Sequence, residues 1–159
     1  MTILYMLCGV PGSGKSTWAR KKIEELGLDK VDWVSRDKIR FSKLVPGEDY
    51  FSHETEVMDD FIAQIQNDID DKVPYIIADA THLTIKSRCQ VLERLRLTGV
   101  LINYVCFEVP LNVAIQRNNL RRGRELVPET VVVNMFNRYV RPKGGYVIVV
   151  NKEGKEIIV

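Results

Sequence analysis

A glycine-rich segment near the start of the chain limits what it can fold into more than any other feature. Gly9–Ser16 fits the pattern G-x-x-x-x-G-K-S. It follows a short apolar run, Ile3–Cys8, and overlaps the start of a helical pattern over Lys15–Leu26 that Gly27 ends. The segment is therefore predicted to be a tight loop that joins a buried strand to a helix.

The residue types of this loop are those that bind phosphate. Glycines let successive backbone N–H groups turn inward around phosphate oxygens, and the N-terminus of the following helix adds partial positive charge. Lys15 can reach the β- and γ-phosphates of a nucleoside triphosphate, and the Ser16 hydroxyl can bind Mg²⁺. The sequence thus predicts a loop over residues 9–17 that binds ATP with Mg²⁺. Its expected ATP-binding positions are Gly9, Gly12, Ser13, Gly14, Lys15, Ser16 and Thr17.

The rest of the chain alternates short apolar strands with helical patterns. Strands are expected at 3–8, 31–34, 75–78 and 100–109, with a terminal hairpin at about 146–159. A long helix is expected from Ser52, another around Val91–Leu95, and a last one opened by Pro128. This alternation predicts an α/β fold with a parallel sheet of about five strands and helices on both faces. Sites in such folds lie beyond the carboxyl ends of the strands.

Length, charge and cysteine usage narrow the class of protein. The chain has 159 residues, which is the usual size of one domain, and its net charge is +2. That charge argues against tracking long duplexes, although a local pocket for one phosphorylated end remains possible. The three cysteines have no metal-ligand spacing, and the apolar N-terminal run stops at Gly9. We therefore expect a cytoplasmic protein with no membrane partner.

Two acidic residues follow predicted strands at the edge where the loop lies. Asp37 follows the second strand, where a carboxylate can take the proton of a hydroxyl acceptor during phosphoryl transfer. The alternative is a first-turn residue paired with Arg40 on the surface. Asp79 ends the third strand and either binds Mg²⁺ or caps the next segment. His82 is predicted to be a loop or capping residue rather than a catalyst.

Arginines cluster further along the chain, ahead of Pro128. They are Arg117, Arg121, Arg122 and Arg124. Such a cluster is typical of a lid at about 117–127 that closes over phosphates, and the alternative is a solvated helix end. The D-x-x-G switch of GTPases is absent, and motor or AAA-type ATPases usually need a longer chain. A small phosphotransferase is the class that remains.

Several of these segments together resemble the kinase domain of phage-type polynucleotide 5′-hydroxyl kinases, which are adenylate-kinase-like P-loop kinases. The likeness begins in the loop, at Pro11–Arg20, and is most specific there and in the arginine-rich segment. In order, the other matching segments are Ser35–Arg40, Asp79–Leu83, Phe107–Pro110 and Arg117–Pro128. The likeness covers residues 1 to about 140. It implies a single P-loop kinase domain over 1–159 with a short arginine-rich lid.

The resemblance also implies roles at the matching positions. Asp37 would be the general base for a polynucleotide 5′-hydroxyl, and Arg40 would bind a phosphate of the acceptor strand. Asp79 and Thr81 would also contact the acceptor, with Asp79 and Ser16 at the metal. Arg122 would act on the donor phosphates, supported by Arg117. The segment between Asn118 and Gly123 is one residue longer than in the family, so Arg121 and Arg122 can exchange roles.

The function predicted from the sequence is therefore transfer of the ATP γ-phosphoryl group to the 5′-OH end of DNA or RNA. Catalysis is assigned to Lys15, Asp37 and Arg122, with recognition of a few terminal nucleotides. Repair of broken nucleic acid ends is the process that the family suggests. Two alternatives remain: a kinase for a small hydroxylated metabolite, an antibiotic or an aminoacyl-tRNA, and a nucleotide-binding module without catalysis.

Overall fold

One six-stranded sheet organises the molecule. The structure is a computed structural model that describes residues 1–159. Its strands run in the order β2-β3-β1-β4-β5-β6, and every pair is parallel except β5 with β6. The strands are β1 Thr2–Cys8, β2 Val31–Ser35, β3 Tyr75–Asp79, β4 Val100–Phe107, β5 Tyr146–Val150 and β6 Glu156–Ile158.

Six α-helices and one 3-10 turn connect the strands. The helices are α1 Lys15–Leu26, α2 Arg36–Lys43, α3 Glu54–Asp70, α4 Ile85–Leu92, α5 Leu111–Asn119 and α6 Glu129–Arg138. The 3-10 turn spans Gly123–Glu125, between α5 and α6. Each of the strands β1 to β4 is followed by a helix that carries the chain back across the sheet. The next strand can therefore add to the sheet in the parallel direction.

Both faces of the sheet are buried, which explains why its strands are nearly continuous apolar runs. On one face Leu4, Met6 and Ile76 pack against α3, where Val57, Phe61 and Ile65 are fully buried. On the other face alternate strand residues pack against Trp18 and Ala19 of α1. A third, smaller cluster joins α5 and α6 to the segments that follow β1 and β4. Packing on both faces thus fixes the carboxyl ends of the parallel strands at one edge of the sheet.

The predicted architecture is confirmed, and two helix boundaries differ. Five strands are parallel, and the terminal hairpin adds β6 as the sixth, antiparallel strand. Ser52 is not the N-cap of α3, because His53 holds that position, without a side-chain hydrogen bond. Helix α4 ends at Leu92, so Leu95 packs on the core from a turn.

The topology brings the predicted site segments to one edge. The residues after β1, β2, β3 and β4 all lie at the carboxyl ends of adjacent parallel strands. Ser35 and Asp79 are register partners at the ends of β2 and β3, and Cys8 and Cys106 are partners at the ends of β1 and β4. None of the helices is long and apolar enough to cross a membrane.

Candidate active site

The loop after β1 is fitted so closely to its surroundings that two of its glycines cannot carry a side chain. A Cβ on Gly12 would collide with the backbone oxygen of Ala114 in α5, and Gly12 has a left-handed φ of 79°. A Cβ on Gly9 would lie 2.7 Å from Ser13 Oγ and 2.9 Å from the Cβ of Phe107. The loop pattern is therefore required by packing as well as by phosphate geometry.

Lys15 lies against the mouth of this loop. Its Nζ donates hydrogen bonds of 2.9 Å to the carbonyl oxygens of both Gly9 and Val10. Burial lowers the pKa of Lys15 to about 8. The carboxylates of Asp79 and Asp37 oppose that shift, whereas the charge of Arg121 adds to it. Both candidate acids and Arg121 of the arginine-rich segment therefore act on the same amino group.

Asp79 ends β3 beside the loop and is almost completely buried. The indole Nε1 of Trp33 donates a 2.9 Å hydrogen bond to Asp79 Oδ2. Burial raises the pKa of Asp79, and the positive charge of Lys15 and the bond from Trp33 partly counteract that rise. No His, Cys, Asp or Glu cluster of three or more is present to hold a metal ion. The hydrogen bond from Trp33 holds the Asp79 carboxylate in one orientation at the edge of the cleft.

Asp37 lies in the first turn of α2, and its side chain is about half exposed. Ser35 caps this helix by accepting a 3.3 Å hydrogen bond from the backbone N–H of Lys38. Asp37 Oδ1 accepts hydrogen bonds from Arg40 Nη1 and, at 2.8 Å, from the hydroxyl of Tyr50. The same Tyr50 hydroxyl accepts a 2.8 Å bond from Arg40 Nη1. Asp37 is therefore oriented by two donors to Oδ1, while Oδ2 accepts no hydrogen bond from the chain.

Arg40 is the centre of this network rather than a free surface cation. Its side chain is 6% exposed, and Nε and Nη2 donate three hydrogen bonds of 2.8–3.2 Å to the carboxylate of Glu54 in α3. With the two bonds from Nη1, all three guanidinium nitrogens donate to intramolecular acceptors. The predicted pairing of Asp37 with Arg40 is thus present, but it belongs to a partly buried network that includes Glu54.

The base of the arginine-rich segment is closed by the side chain of Asn118, which is 1% exposed. Its Nδ2 donates a 2.6 Å hydrogen bond to the Val127 carbonyl, and its Oδ1 accepts a 3.1 Å bond from the Val127 N–H. The backbone nitrogen of Asn118 lies 3.1 Å from the Cβ position of Gly12. The two ends of residues 118–127 are therefore joined and rest on the phosphate-binding loop.

The arginines of this segment have different surroundings. Arg117 lies beside the loop, with Nη1 3.6 Å from the Cβ position of Gly14, and it donates to the Lys152 carbonyl. Arg121 is half-buried, and its charge lowers the pKa of Lys15. Arg122 is exposed and donates only weak bonds of 3.2–3.5 Å to carbonyls of its own segment. Of the two arginines that could exchange roles, Arg121 is therefore the one near Lys15.

The residues present fit a nucleoside triphosphate and a magnesium ion. The loop leaves no Cβ at Gly9 or Gly12 to compete with phosphate for its backbone, and Lys15 supplies a charge within it. The Ser16 hydroxyl and the Asp79 carboxylate are hard oxygen donors of the kind that Mg²⁺ prefers. Mg²⁺ usually takes only one or two protein ligands and keeps water and substrate phosphate for the rest. The donor set therefore matches the cation.

Thr81 and His82 tie the segment after β3 to the loop and the core. Thr81 is half-buried, and its carbonyl accepts a 2.9 Å hydrogen bond from the N–H of Gly9. His82 is 1% exposed, has a φ of 41°, and donates from Nδ1 to the Leu7 carbonyl at 2.7 Å. Burial and the neighbouring cation of Arg36 lower its pKa to about 3. His82 is thus a neutral packing residue in a left-handed turn.

A cavity of about 360 Å³ opens beside the first residues of the loop, between β4 and α6. Glu108, which follows β4, lies in its wall. Its carboxylate accepts hydrogen bonds of 2.5–2.7 Å from Arg141 and from the hydroxyl of Tyr139, and the bonds from Arg141 lower its pKa. Glu108 is therefore engaged in holding the end of α6 rather than free for chemistry.

Sequence reasoning missed Tyr50 and Glu54 as members of the site. Tyr50 lies in the segment between α2 and α3, where no periodic pattern indicates which way a side chain points. Glu54 was predictable as an acidic residue in a helix first turn, but its partner Arg40 is fourteen residues away. Only the packing of α2 on α3 brings these residues together. A search for acidic residues able to pair with Arg40 would have found Glu54.

The sequence model of the AAA domain family matches residues 4–142, and the chain belongs to that family. This corrects the expectation from chain length, which disfavoured AAA-type proteins. The fold is that of the P-loop kinases, as predicted. No curated protein sequence matches the chain.

Solved structures with the same fold come from several kinds of kinase. The Pnkp1/Rnl/Hen1 RNA repair complex matches with a TM-score of 0.73 at 23% identity, covering 86% of this chain and 43% of that chain. This chain thus spans less than half of that relative. A sugar kinase from Janibacter sp. HTCC2649 matches with a TM-score of 0.69 at 16% identity, covering 98% and 88%. A fungal RNA kinase matches with a TM-score of 0.60 at 16% identity, covering 94% and 73%.

Proposed function

We propose that this protein transfers the γ-phosphoryl group of ATP to the 5′-hydroxyl of a DNA or RNA end. The observation that carries the proposal is the position of Asp37. Its carboxylate is oriented by Arg40 and Tyr50, half exposed, and close enough to Lys15 to influence the pKa of that lysine. A hydroxyl acceptor must lose a proton during transfer, whereas an acceptor that is already an anion has no use for such a carboxylate.

The chemistry assigns one action to each residue. Asp37 takes the proton of the 5′-hydroxyl, and the oxygen forms a bond to the γ-phosphorus while the bond to the β,γ-bridging oxygen breaks in line, releasing ADP. Lys15 and one lid arginine stabilise the negative charge on the transferring group. Mg²⁺, held through Ser16 and Asp79, would supply further positive charge at the phosphates. No phosphorylated enzyme intermediate is formed.

The surroundings favour Arg121 over the predicted Arg122 as that lid arginine. Both bond only to backbone carbonyls of their own segment, but Arg121 is half-buried and its charge lowers the pKa of Lys15, whereas Arg122 is exposed. Arg117, placed between the loop and the turn at Lys152, supports the nucleotide side. The catalytic arginine of this proposal is thus one residue earlier than the position predicted from the sequence.

Aromatic side chains next to Asp37 support a nucleic acid acceptor. Phe41, Tyr50 and Phe51 form an edge-to-face cluster with ring centroids 4.7–6.2 Å apart, and Phe51 is 55% exposed. Arg124 lies 5.1 Å above the ring of Phe41. Exposed aromatic faces combined with cations stack unpaired bases without sequence preference. The RNA repair complex and the fungal RNA kinase among the structural neighbours point to the same class of acceptor.

The second candidate is a kinase for a sugar or a related small alcohol. The match to the sugar kinase favours it, because that match covers nearly the whole of both chains. A gluconokinase from Sinorhizobium meliloti 1021 also shares the fold, with a TM-score of 0.59. The same base and the same loop serve a sugar hydroxyl equally well. The two candidates differ in whether the aromatic cluster contributes to the acceptor.

The test combines γ-labelled ATP, Mg²⁺ and a short single-stranded oligonucleotide with a 5′-hydroxyl, beside parallel reactions with gluconate and simple sugars. Label on the oligonucleotide, lost by about 100-fold or more in Asp37→Asn while ATP still binds, is the expected result. Phe51→Ala should weaken oligonucleotide binding by about fivefold or more and leave ATP binding unchanged. Label on a sugar alone would replace the polynucleotide by a small-molecule acceptor.

A further inference from the structure

Trp33 lies in the middle of β2 and contacts the acidic residue that ends the neighbouring strand. Its parallel register partner in β3 is Ile77, so Asp79, two residues further along β3, lies on the same face of the sheet. Side chains at such diagonal positions of neighbouring strands are within reach of an aromatic ring. The 2.9 Å hydrogen bond from Trp33 Nε1 to Asp79 Oδ2 crosses this diagonal. The register of the sheet therefore fixes the contact.

The indole ring of Trp33 is itself held in place by charge and by packing. Lys38 Nζ lies 4.2 Å from the ring centroid, and the guanidinium carbon of Arg20 lies 5.9 Å from it. A cation over an aromatic face is attracted by the ring. The ring also packs at the margin of the core cluster that includes Ile77. The N–H group is therefore presented to Asp79 in a fixed direction.

The two oxygens of Asp79 differ in what they can still bind. Oδ2 accepts the hydrogen bond from Trp33, whereas Oδ1 accepts none from the chain and is not closed off from solvent. Lys15 donates to the carbonyl oxygens of Gly9 and Val10 rather than to Asp79. Oδ1 is thus the one oxygen of this carboxylate that is left for a ligand from outside the chain.

A carboxylate with one free oxygen suits some cations better than others. Mg²⁺ requires near-ideal octahedral geometry at about 2.0–2.1 Å, and the two oxygens of one carboxylate are too close together to fill two octahedral positions. Ca²⁺ takes about six to eight oxygens at about 2.3–2.6 Å and often binds both oxygens of one carboxylate. The indole N–H of Trp33 occupies the oxygen that this second mode requires.

We propose that Trp33 is a positioning residue that sets the cation preference of the nucleotide site. By occupying Oδ2 it restricts Asp79 to binding through one oxygen, which favours Mg²⁺ over Ca²⁺ in the nucleotide complex. This inference rests on the part of the proposed function in which Ser16 and Asp79 hold the metal ion of the nucleotide. It does not depend on which hydroxyl the kinase phosphorylates.

The experiment measures binding of a non-hydrolysable ATP analogue in saturating Mg²⁺ and in saturating Ca²⁺, without an acceptor. The ratio of the two dissociation constants is the cation preference, and we expect the wild-type protein to bind the Mg²⁺ form more tightly. Trp33→Phe keeps an aromatic ring and loses the N–H group, and it should reduce that preference by about tenfold, a usual effect of removing a group that orients a metal ligand. Trp33→Gln keeps a side-chain N–H donor and should recover part of it.

Trp18 supplies the matched control. It is the only other tryptophan of the chain, and its Nε1 also donates to a carboxylate, at 2.7 Å to Glu156 Oε1. A lysine lies over its ring as well, with Lys22 Nζ 5.3 Å from the centroid. Glu156 belongs to β6, at the opposite edge of the sheet from β2. Trp18→Phe should therefore leave the cation preference unchanged, and thermal unfolding shows that each variant is folded.

The two indole N–H groups also give a readout in the wild-type protein. Each gives one signal in the nitrogen-15 NMR spectrum, and Trp18→Phe assigns both by removing one of them. Replacing Mg²⁺ by Ca²⁺ in the nucleotide complex should shift the signal of Trp33, because Ca²⁺ competes with the indole for Asp79 Oδ2. The signal of Trp18 should stay in place.

Each outcome decides between the inference and the proposed function. Equal binding of the two forms by the wild-type protein, or a preference that survives in Trp33→Phe, overturns the inference. An equal loss of preference in Trp18→Phe assigns the effect to packing and also overturns it. A protein that binds neither form overturns both proposals. A protein that shows the expected preference but phosphorylates no 5′-hydroxyl end overturns the polynucleotide function alone.

Discussion

The nucleotide side and the acceptor side of the cleft are held in place by different kinds of interaction. On the nucleotide side the loop over Gly9–Ser16 is fixed by its backbone, which packs against α5 so closely that Gly12 has no room for a Cβ. On the acceptor side Asp37 is fixed by side chains, through Arg40 and Tyr50. The first arrangement depends on a short stretch of consecutive residues, whereas the second depends on residues from α2, α3 and the segment between them.

This difference indicates how well each side of the cleft tolerates substitution of its residues. A backbone cradle fixed by close contact tolerates almost no substitution, because any added atom meets another backbone. A side-chain network on a half-exposed surface can lose one hydrogen bond and keep its fold, although it loses the geometry that catalysis requires. We therefore expect the nucleotide side to fail through loss of binding and the acceptor side to fail through loss of turnover.

The largest effect is expected for Gly12→Ala. Gly47→Ala is its matched control, because Gly47 has a similar φ of 87° but nothing within 4 Å of its Cβ position. The control should cost about 1 kcal/mol for the left-handed backbone alone. Gly12→Ala should cost about 2 kcal/mol more because of the collision, and ATP affinity should fall by at least about 100-fold. Chemical unfolding and ATP titration measure both quantities. Equal losses in the two variants would show that the loop is not fixed by packing.

Arg40→Gln is expected to have the next largest effect, on the acceptor side. Asp37 would lose one of its two donors, and misplacement of a catalytic group by about 1 Å can cost about 100-fold in kcat. The KM for ATP should not change, because no contact of Arg40 reaches the loop. Steady-state kinetics with varied ATP and varied acceptor measure this separation. A fall in ATP affinity of the same size would show that Arg40 also acts on nucleotide binding, so that the two sides of the cleft do not function separately.

The arginine-rich segment that we propose as a lid contacts both sides, and substitutions of its arginines test which side it acts on. Arg121→Ala should lower kcat by about 10- to 100-fold, since its charge acts on Lys15. Arg122→Ala, the matched control one residue later, should change kcat by less than about threefold because its side chain is exposed and contacts only its own segment. Single-turnover transfer measures the chemical step in both. The reverse order would restore Arg122 as the lid arginine.

The same contrast explains what the sequence could predict. Strand β1, the loop and helix α1 were predictable almost residue by residue, because glycine, lysine and apolar periodicity act over a few adjacent positions. The order of the strands and the antiparallel β6 depend on contacts between distant segments. The start of α3 was placed too early because Ser52 is a good capping residue, whereas the chain before the helix packs differently and leaves His53 at the cap.

Within the site, the types of the polar residues were predictable and their partners were not. Asp79 ends β3, and Asp37 and Arg40 lie in α2, which directly follows β2, so the parallel sheet brings them to one edge. The pairing of Arg40 with Glu54 follows from the way α2 packs on α3. That packing brings together side chains that are more than a dozen residues apart in the chain, so no local sequence pattern predicts it.

The smallest effect is the pH dependence of ATP binding, and it isolates the nucleotide side. The pKa of Lys15 lies at about 8 in the free protein, below its usual value of 10.5, and negative phosphates bound beside it would raise it again. Binding should therefore take up a proton, and affinity should fall by about fivefold between pH 8 and pH 9 as free Lys15 loses its charge. Calorimetry in buffers of different ionisation enthalpy measures the proton uptake. Lys15→Arg should remove this proton uptake, because guanidinium stays charged.

The stability of the free protein should change in the opposite sense and rise from pH 8 to pH 10, since the unfolded chain keeps the proton that the folded chain has released. A flat profile in the wild-type protein would mean that Lys15 remains charged within the loop, and that the two carboxylates outweigh its burial.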